Sequence, residues 1–346
     1  MAAGTASGSS HADDIRGLAG RRRAMLLGLA LGIPVSGVFL WLAIRNADLD
    51  EVRSALAEAK PAPLVLALAA FVLVYAAQAA RWQRIAAVPA VRWAGFMEMV
   101  LSSVACNNVL PARIGDLLRA RWLGRRAAIP GGRALATVVL DRSCDLVTLF
   151  VFLVATIPAV AGAGWARRIA LGTLALVVGI AVLLVFARIY TRRRARARLS
   201  SRGLVRRVAR DIVEGLAEPI GRRRLAVALA LSVVAWLAFA GAAICVGRSV
   251  GLHLSLVDAI FATAVINLGV ALPSSPGFVG TYQWLGVSAL AIVGVDHSNA
   301  LAFAILLQAV WYIPTTLVGG TLLILRSARV VMSSRAVRRA GSESAS

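Results

Sequence analysis

The chain is a succession of apolar runs about as long as a bilayer is thick, separated by blocks of arginine. Residues 24–44, 62–86, 134–160, 169–187, 225–247 and 300–325 are such runs. A helix needs roughly 20 predominantly apolar residues to cross a hydrocarbon core about 30 Å thick. In that core every backbone N–H and C=O must be satisfied within the segment, so these runs are read as helices. Hydrophobic residues make up 59% of the chain and charged residues 16%. Soluble domains use roughly 45–50% and 25%, and disorder needs low hydrophobicity. Both are excluded.

The net charge is +22, and all the basic residues except Lys60 are arginine. So large a basic excess can serve nucleic acid, an anionic membrane surface or an anionic substrate. Here the arginines lie between apolar runs, which is the pattern of cytoplasmic loops and not of a nucleic-acid module. Cys106, Cys144 and Cys245 sit in apolar stretches without metal-ligand spacing, and His11, His253 and His297 are dispersed. No H-E-x-x-H, nucleophile elbow or phosphate loop with lysine occurs, so no catalytic residue, metal site or cofactor is assigned.

Residues 1–23 read as a disordered cytoplasmic tail ending in Arg21-Arg22-Arg23, and 326–346 as a basic cytoplasmic tail. Residues 45–60 read as an amphipathic helix outside the membrane, with Pro61 and Pro63 opening the span that follows. That span ends at Arg81-Trp82-Gln83-Arg84, an expected interfacial anchor. Residues 94–111 are apolar but short and broken by Glu98, Asn107, Asn108 and Pro111. Arginines flank both sides, so this segment is expected to dip in and return. Residues 256–295 are interrupted by Pro273-Ser274-Ser275-Pro276-Gly277 and form a second broken hairpin. Residues 188–224 are an Arg-rich cytoplasmic loop, suited to an anionic lipid surface. The expectation is an all-α, polytopic transmembrane bundle of about six full spans and two re-entrant hairpins, with both termini cytoplasmic.

Leu110, Pro111, Gly115, Trp122 and Leu123 lie 162 residues before Leu272, Pro273, Gly277, Trp284 and Leu285. The same offset superposes spans on spans, giving halves 24–160 and 169–325. Each holds three spans and one broken hairpin. Three is odd, so the second half is expected upside down, as in carriers built from inverted repeats.

Charge within an apolar span is costly, and such groups mark function. Asp141 and Asp145 are four apart and share a helix face. Arg142 points elsewhere, to neutralise the pair or grip an anion, and the group is placed about one turn into its span. Arg113, Gly115, Asp116 and Arg119 follow the first break, where a helix N-terminus favours anions. At the second break Ser275 is expected as N-cap with Pro276 at the first helical position. Gly277 and Gly280 would expose backbone there, beside Gln283. Glu98 and Asp258 are weaker candidates near the hairpin starts.

Asn108-Val-Leu-Pro-Ala-Arg113-Ile-Gly115-Asp116-Leu-Leu-Arg119, then Asp141-Arg142-x-x-Asp145, then Leu-Pro-x-x-Pro276-Gly277-x-x-Gly280 resemble the motif series of the lysylphosphatidylglycerol synthase transmembrane-region family. The resemblance covers residues 24–325. It implies a flippase-like protein of the bacterial inner membrane, whose fused relatives move an aminoacylated phospholipid made by a cytoplasmic transferase domain. That domain is not among these residues, so synthesis does not carry over. Gln283 and Asp141 stand where many members carry glutamate. The expected function is movement of an anionic or zwitterionic lipid, of phospholipid or polyprenyl-phosphate type. Its headgroup would be held by Arg113, Arg119 and Arg142 and balanced by Asp116, Asp141 and Asp145. The alternatives are a membrane-embedded transferase, or a partner of a glycosyltransferase or lipid-modifying enzyme.

Overall fold

The computed structural model describes residues 34–110, 114–160, 215, 221–270 and 276–343, with backbone alone at 276 and 327–343. The described residues form helices without strands. In chain order these are α1 Pro34–Ile44, α2 Leu49–Ala57, α3 Pro61–Ala86, α4 Trp93–Val109, α5 Ile114–Ala127, α6 Gly131–Val160, α7 Arg222–Ser249, α8 Leu256–Gly269, α9 Thr281–Ile292 and α10 His297–Glu343. A short 3-10 turn, Pro276–Phe278, precedes α9.

Among the described residues four helices are long and apolar enough to cross a membrane: α3, α6, α7 and the part of α10 from His297 to Arg326. They coincide with the expected spans 62–86, 134–160, 225–247 and 300–325. The expected span 24–44 is described only as α1. The span 169–187, the Arg-rich loop up to residue 214 and the tail 1–23 lie outside the described residues. The basic C-terminal segment is helical as far as Glu343, where α10 ends. Its last turns carry Arg335, Arg338 and Arg339 with no helix-breaking proline or glycine before Gly341.

Local chemistry sets the helix starts. Pro61 occupies the first turn of α3, where its missing N–H costs nothing. Asp48 caps α2 by accepting from the amides of Asp50 and Glu51. Ser255 and Asp258 form a reciprocal capping box on α8, so Asp258 is a helix-start residue here. Only Val52 of α2 is buried, as befits a helix lying outside the apolar layer.

At the 162-residue offset α3 falls on α7, α4 on α8, α5 on α9 and α6 on α10. Packing respects this equivalence. α3 lies along α7, α4 packs on α10 and α8 packs on α6, so each hairpin leans on the last long helix of the other half. The direction of α3 against α7 is fixed by three contacts. The Lys60 amide donates to Ser249 O, Phe71 meets Phe239 edge-on at 5.1 Å, and Arg81 reaches Ser232. As the number rises in α3 it falls in α7, so equivalent helices run antiparallel. An inverted second half requires this antiparallel pairing of α3 and α7.

The two ends of the bundle differ in charge. At one end the Asp48 amide donates to Ser298 Oγ and the Asn299 amide group to Glu51, beside Asp50, Glu58 and Asp296. At the other, exposed Arg84, Arg92 and Arg222–Arg224 gather, with Arg126 paired to Glu98 at 2.8 Å. Glu98 also faces Arg326 at 3.8 Å. By the positive-inside pattern the arginine-rich end is the one expected to face the cytoplasm. Single cysteines at Asp296 and Arg222, both exposed, should therefore label from opposite sides of sealed vesicles, Arg222→Cys from the cytoplasmic side. Labelling from one side would overturn this topology.

Candidate functional site

The site is built on α6. Asp141 lies ten residues past Gly131, about 15 Å along the helix, and is deeper than the one turn expected from sequence because α6 begins at Gly131. Asp141 and Asp145 share one face and meet Arg81 of α3, whose side chain is fully buried. Arg81 Nε donates to Asp141 Oδ1 at 2.7 Å, Nη1 to Asp145 Oδ1 at 2.5 Å, and Nη2 to Asp145 Oδ2 at 3.0 Å. Its Nη1 also donates to Ser232 Oγ of α7 at 2.9 Å. Trp236 Nε1, also of α7, donates to Asp145 Oδ1 at 2.8 Å.

Arg119 approaches from α5. Its Nη1 donates to Asp141 Oδ2 at 3.0 Å, and its Nε lies 3.1 Å from Asp116 Oδ1. The guanidinium rests 4.9 Å from the ring centre of Trp82, a cation–π shelf. Arg142 completes the group. Its Nη1 donates to Asp145 Oδ2 at 3.3 Å, and Nη2 is 3.5 Å from Asp116 Oδ1. Three guanidinium groups thus face three carboxylates. Exposure rises across them from none at Arg81 and 1% at Arg119 and Asp141 to 17% at Asp116 and 34% at Arg142. The cluster opens on the Arg142–Asp116 edge. Near that edge Arg119 Nη2 and Arg142 Nε are buried without a hydrogen-bond partner among the described residues.

Pairing is what makes such a group tolerable, since one charge at a span's centre costs roughly 2.5–3.5 kcal/mol. The inverted half shows that the fold does not require it. At the 162-residue offset Arg81 becomes Ala243, Asp141 becomes Phe303, Arg142 becomes Ala304 and Asp145 becomes Leu307. Ala243, Phe303, Ala304 and Leu307 are all buried in an apolar core.

The second break is organised separately. Gly277 and Gly280 hold φ +70 and φ +85, conformations that a side chain strains. The helix does not start at Pro276 with Ser275 as its cap. Ser275 lies outside the described residues, and positive φ at Gly277 and Gly280 delays the helix to Thr281, with Gly280 as N-cap. Gln283 Oε1 accepts from the Gly280 amide at 2.7 Å, and its Nε2 donates to Gln308 Oε1. Gln308 Nε2 donates to Gly277 O at 2.6 Å. This network touches the first break through Tyr312, whose hydroxyl donates to Asn108 O at 3.1 Å. Gly115 is needed for close approach, as a Cβ there would collide with Ser103 O and Asn107 Oδ1. Its amide donates to Asn107 Oδ1 at 2.8 Å.

Of the expected site residues, Asp116, Arg119, Asp141, Arg142 and Asp145 meet in one cluster, with Gly115 beside it on α5. Gly277, Gly280 and Gln283 belong to the Gln308 network, together with the Pro276 turn. Arg113 lies outside the described residues. Arg81 corrects the sequence reading: it is a buried member of the cluster and Trp82 is its neighbour, while only Arg84 of that anchor is exposed. The missed signal is helical phase. Arg81 falls on the stripe Phe71, Val74, Gln78, Trp82 and Ile85, all buried, so it points inward.

An all-helical membrane protein of two inverted halves around a buried Arg–Asp cluster is the class that fold and site define. The chain belongs to the family described as the lysylphosphatidylglycerol synthase TM region, whose model matches residues 25–319. It is also similar to a protein named glycosyltransferase AglD from Haloferax volcanii, 28% identical over 340 residues, which cover 87% of this chain and 54% of that protein. The chain therefore spans about half the length of this curated relative. The family and this similarity associate the protein with lipid or glycolipid processes at a membrane.

Arg81→Met should strand Asp141 and Asp145 and destabilise the protein by about 3–5 kcal/mol. Arg81→Lys, with one ammonium where the fork spans two carboxylates, should fall between. Thermal unfolding in detergent measures both, and a wild-type midpoint for Arg81→Met would refute the bridging role.

Proposed function

We propose that the protein moves a lipid with an anionic or zwitterionic headgroup across the bacterial inner membrane, with both termini cytoplasmic. The headgroup engages Arg119 and Arg142 at the open edge of the ion cluster while the tails stay in the bilayer. Alternating exposure of that edge between the inverted halves carries it across. The observation that carries this reading is the pair of unpartnered guanidinium nitrogens, Arg119 Nη2 and Arg142 Nε. They belong to charges that the equivalent apolar core of the other half does without. Buried donors without partners cost free energy unless a ligand satisfies them.

A second reading has the protein serving glycolipid synthesis as a transferase or as the membrane partner of one. What favours it is the similarity to a protein named as a glycosyltransferase. A divalent-metal requirement for activity supports it; metal-independent lipid movement supports translocation.

Arg142→Ala should abolish movement of acyl-labelled phospholipid in proteoliposomes, normalised to folded protein. Arg142→Lys keeps the charge but loses the planar fork, so it should fold normally and transport poorly. Wild-type rates in Arg142→Ala would end the proposal.

A further inference from the structure

The cluster carries information about the headgroup's charge. Its carboxylate oxygens already face guanidinium groups. Asp141 Oδ1 and Oδ2 serve Arg81 and Arg119, and both Asp145 oxygens serve Arg81. Asp116 Oδ1 lies against Arg119 and Arg142. At the second break Gln283 offers an amide in place of a carboxylate, and that amide is bound at both ends. Each of the three carboxylates is already engaged by a guanidinium group, Asp116 Oδ1 through charge contacts at 3.1 and 3.5 Å rather than a hydrogen bond, so an ammonium must compete with an arginine for any of them. The unpartnered groups of the ion cluster's arginines are donors, Arg119 Nη2 and Arg142 Nε. Arg119 is 1% exposed, so its unpartnered N–H belongs to a built, buried site.

The cluster also has one weak seam. Arg81 is held at 2.5–3.0 Å by Asp141 and Asp145, whereas Arg142 lies 3.5 Å from Asp116 at the exposed edge. A phosphoryl group offers several oxygens in the geometry that guanidinium forks bind bidentately. Its natural competitor there is the Asp116 carboxylate.

We infer that the site takes a lipid phosphoryl headgroup bearing no ammonium, which enters by displacing Asp116 from Arg142 and Arg119. This rests on the headgroup-binding reading above. Asp116 is then a gatekeeper whose removal favours the ligand. With Asp116 as asparagine, three guanidinium groups face two carboxylates, and the surplus positive charge awaits an anion.

The test is calorimetric titration of the full-length protein in detergent with dihexanoyl phosphatidic acid, short-chain lysylphosphatidylglycerol and inorganic phosphate. Phosphatidic acid should bind at least about tenfold more tightly than the other two, a difference of one decade in Kd. Asp116→Asn should tighten phosphatidic acid several-fold and still exclude the lysyl lipid, whereas Asp116→Glu, which keeps the charge, should not tighten it. Equal or tighter binding of the lysyl lipid overturns the inference, as does inorganic phosphate binding as well as the lipid. Loss of phosphatidic acid binding in folded Asp116→Asn overturns it too. Should Asp116→Asn fail to fold, the wild-type comparison of the three probes still decides the headgroup. Transport is scored apart from binding. Phosphatidic acid that binds as expected but does not cross proteoliposomes sinks translocation and leaves the headgroup assignment standing. Equal transport of both lipids sinks the headgroup assignment and leaves translocation standing.

Discussion

The bridge from Arg81 to Asp141 and Asp145 is the contact on which the rest of the first half depends. Its guanidinium binds two carboxylates one turn apart on α6 and a serine on α7, so it joins three long helices at one point. In a medium without water an unpaired member of such a set would be far more costly than an apolar substitute, because desolvation of a charge is offset only by good geometry. Arginine meets that demand where lysine does not. Its planar fork presents fixed donors to two carboxylates and to the Ser232 hydroxyl. Once Arg81 holds Asp145 and one oxygen of Asp141, the second Asp141 oxygen is turned toward α5, where it orients Arg119. The open edge of the cluster is thus positioned from the buried side outward.

The inverted repeat sharpens the meaning of this group. Two halves related by rotation share backbone packing, so a feature that both need should occur twice. Phe303 and Leu307 fill on α10 the places that Asp141 and Asp145 occupy on α6, and Ala243 replaces Arg81. Large apolar side chains on one helix and a methyl on its neighbour close that core without charge. The first half keeps a charged arrangement that is hard to satisfy in lipid, so its role goes beyond that of holding helices together.

How much of this was legible in the sequence follows from where each signal sits. Long apolar runs bounded by arginine announce spans directly, because no other structure satisfies their backbone in lipid. Asp141 and Asp145 stood out as charges inside such a run at helical spacing. Arg81 did not. It lies five residues from the end of α3 next to Trp82 and Arg84, where arginine and tryptophan ordinarily mark the interface, and only its phase with Phe71, Val74 and Gln78 separates it from an anchor. The start of α9 was misplaced for a different reason. Ser-Pro-Gly is good helix-start chemistry, but Gly277 and Gly280 take positive φ, so the chain makes a 3-10 turn first. Tertiary packing demands that turn, since a Cβ on Gly280 would strike Ser36 O.

The described residues on either side of the two breaks share contacts, although 162 residues separate Pro111 from Pro273 in the sequence. Asn108, at the end of α4, donates through its side chain to Thr316 at 2.8 Å and accepts at its carbonyl from Tyr312, both on α10. Tyr312 lies against Gly277, where an added Cβ would come within 2.9 Å of the tyrosine ring and 3.3 Å of Asn108 O. Gly277 O in turn accepts from Gln308, one turn earlier on the same helix. One face of α10 therefore carries hydrogen bonds to both interrupted hairpins, one from each half. Close-packed contacts of this kind do not deform gradually. A displacement of either hairpin must therefore break the shared bonds or carry α10 and the opposite hairpin with it, and on α5, just beyond the first break, stand Asp116 and Arg119, the two residues that with Arg142 form the open edge of the ion cluster.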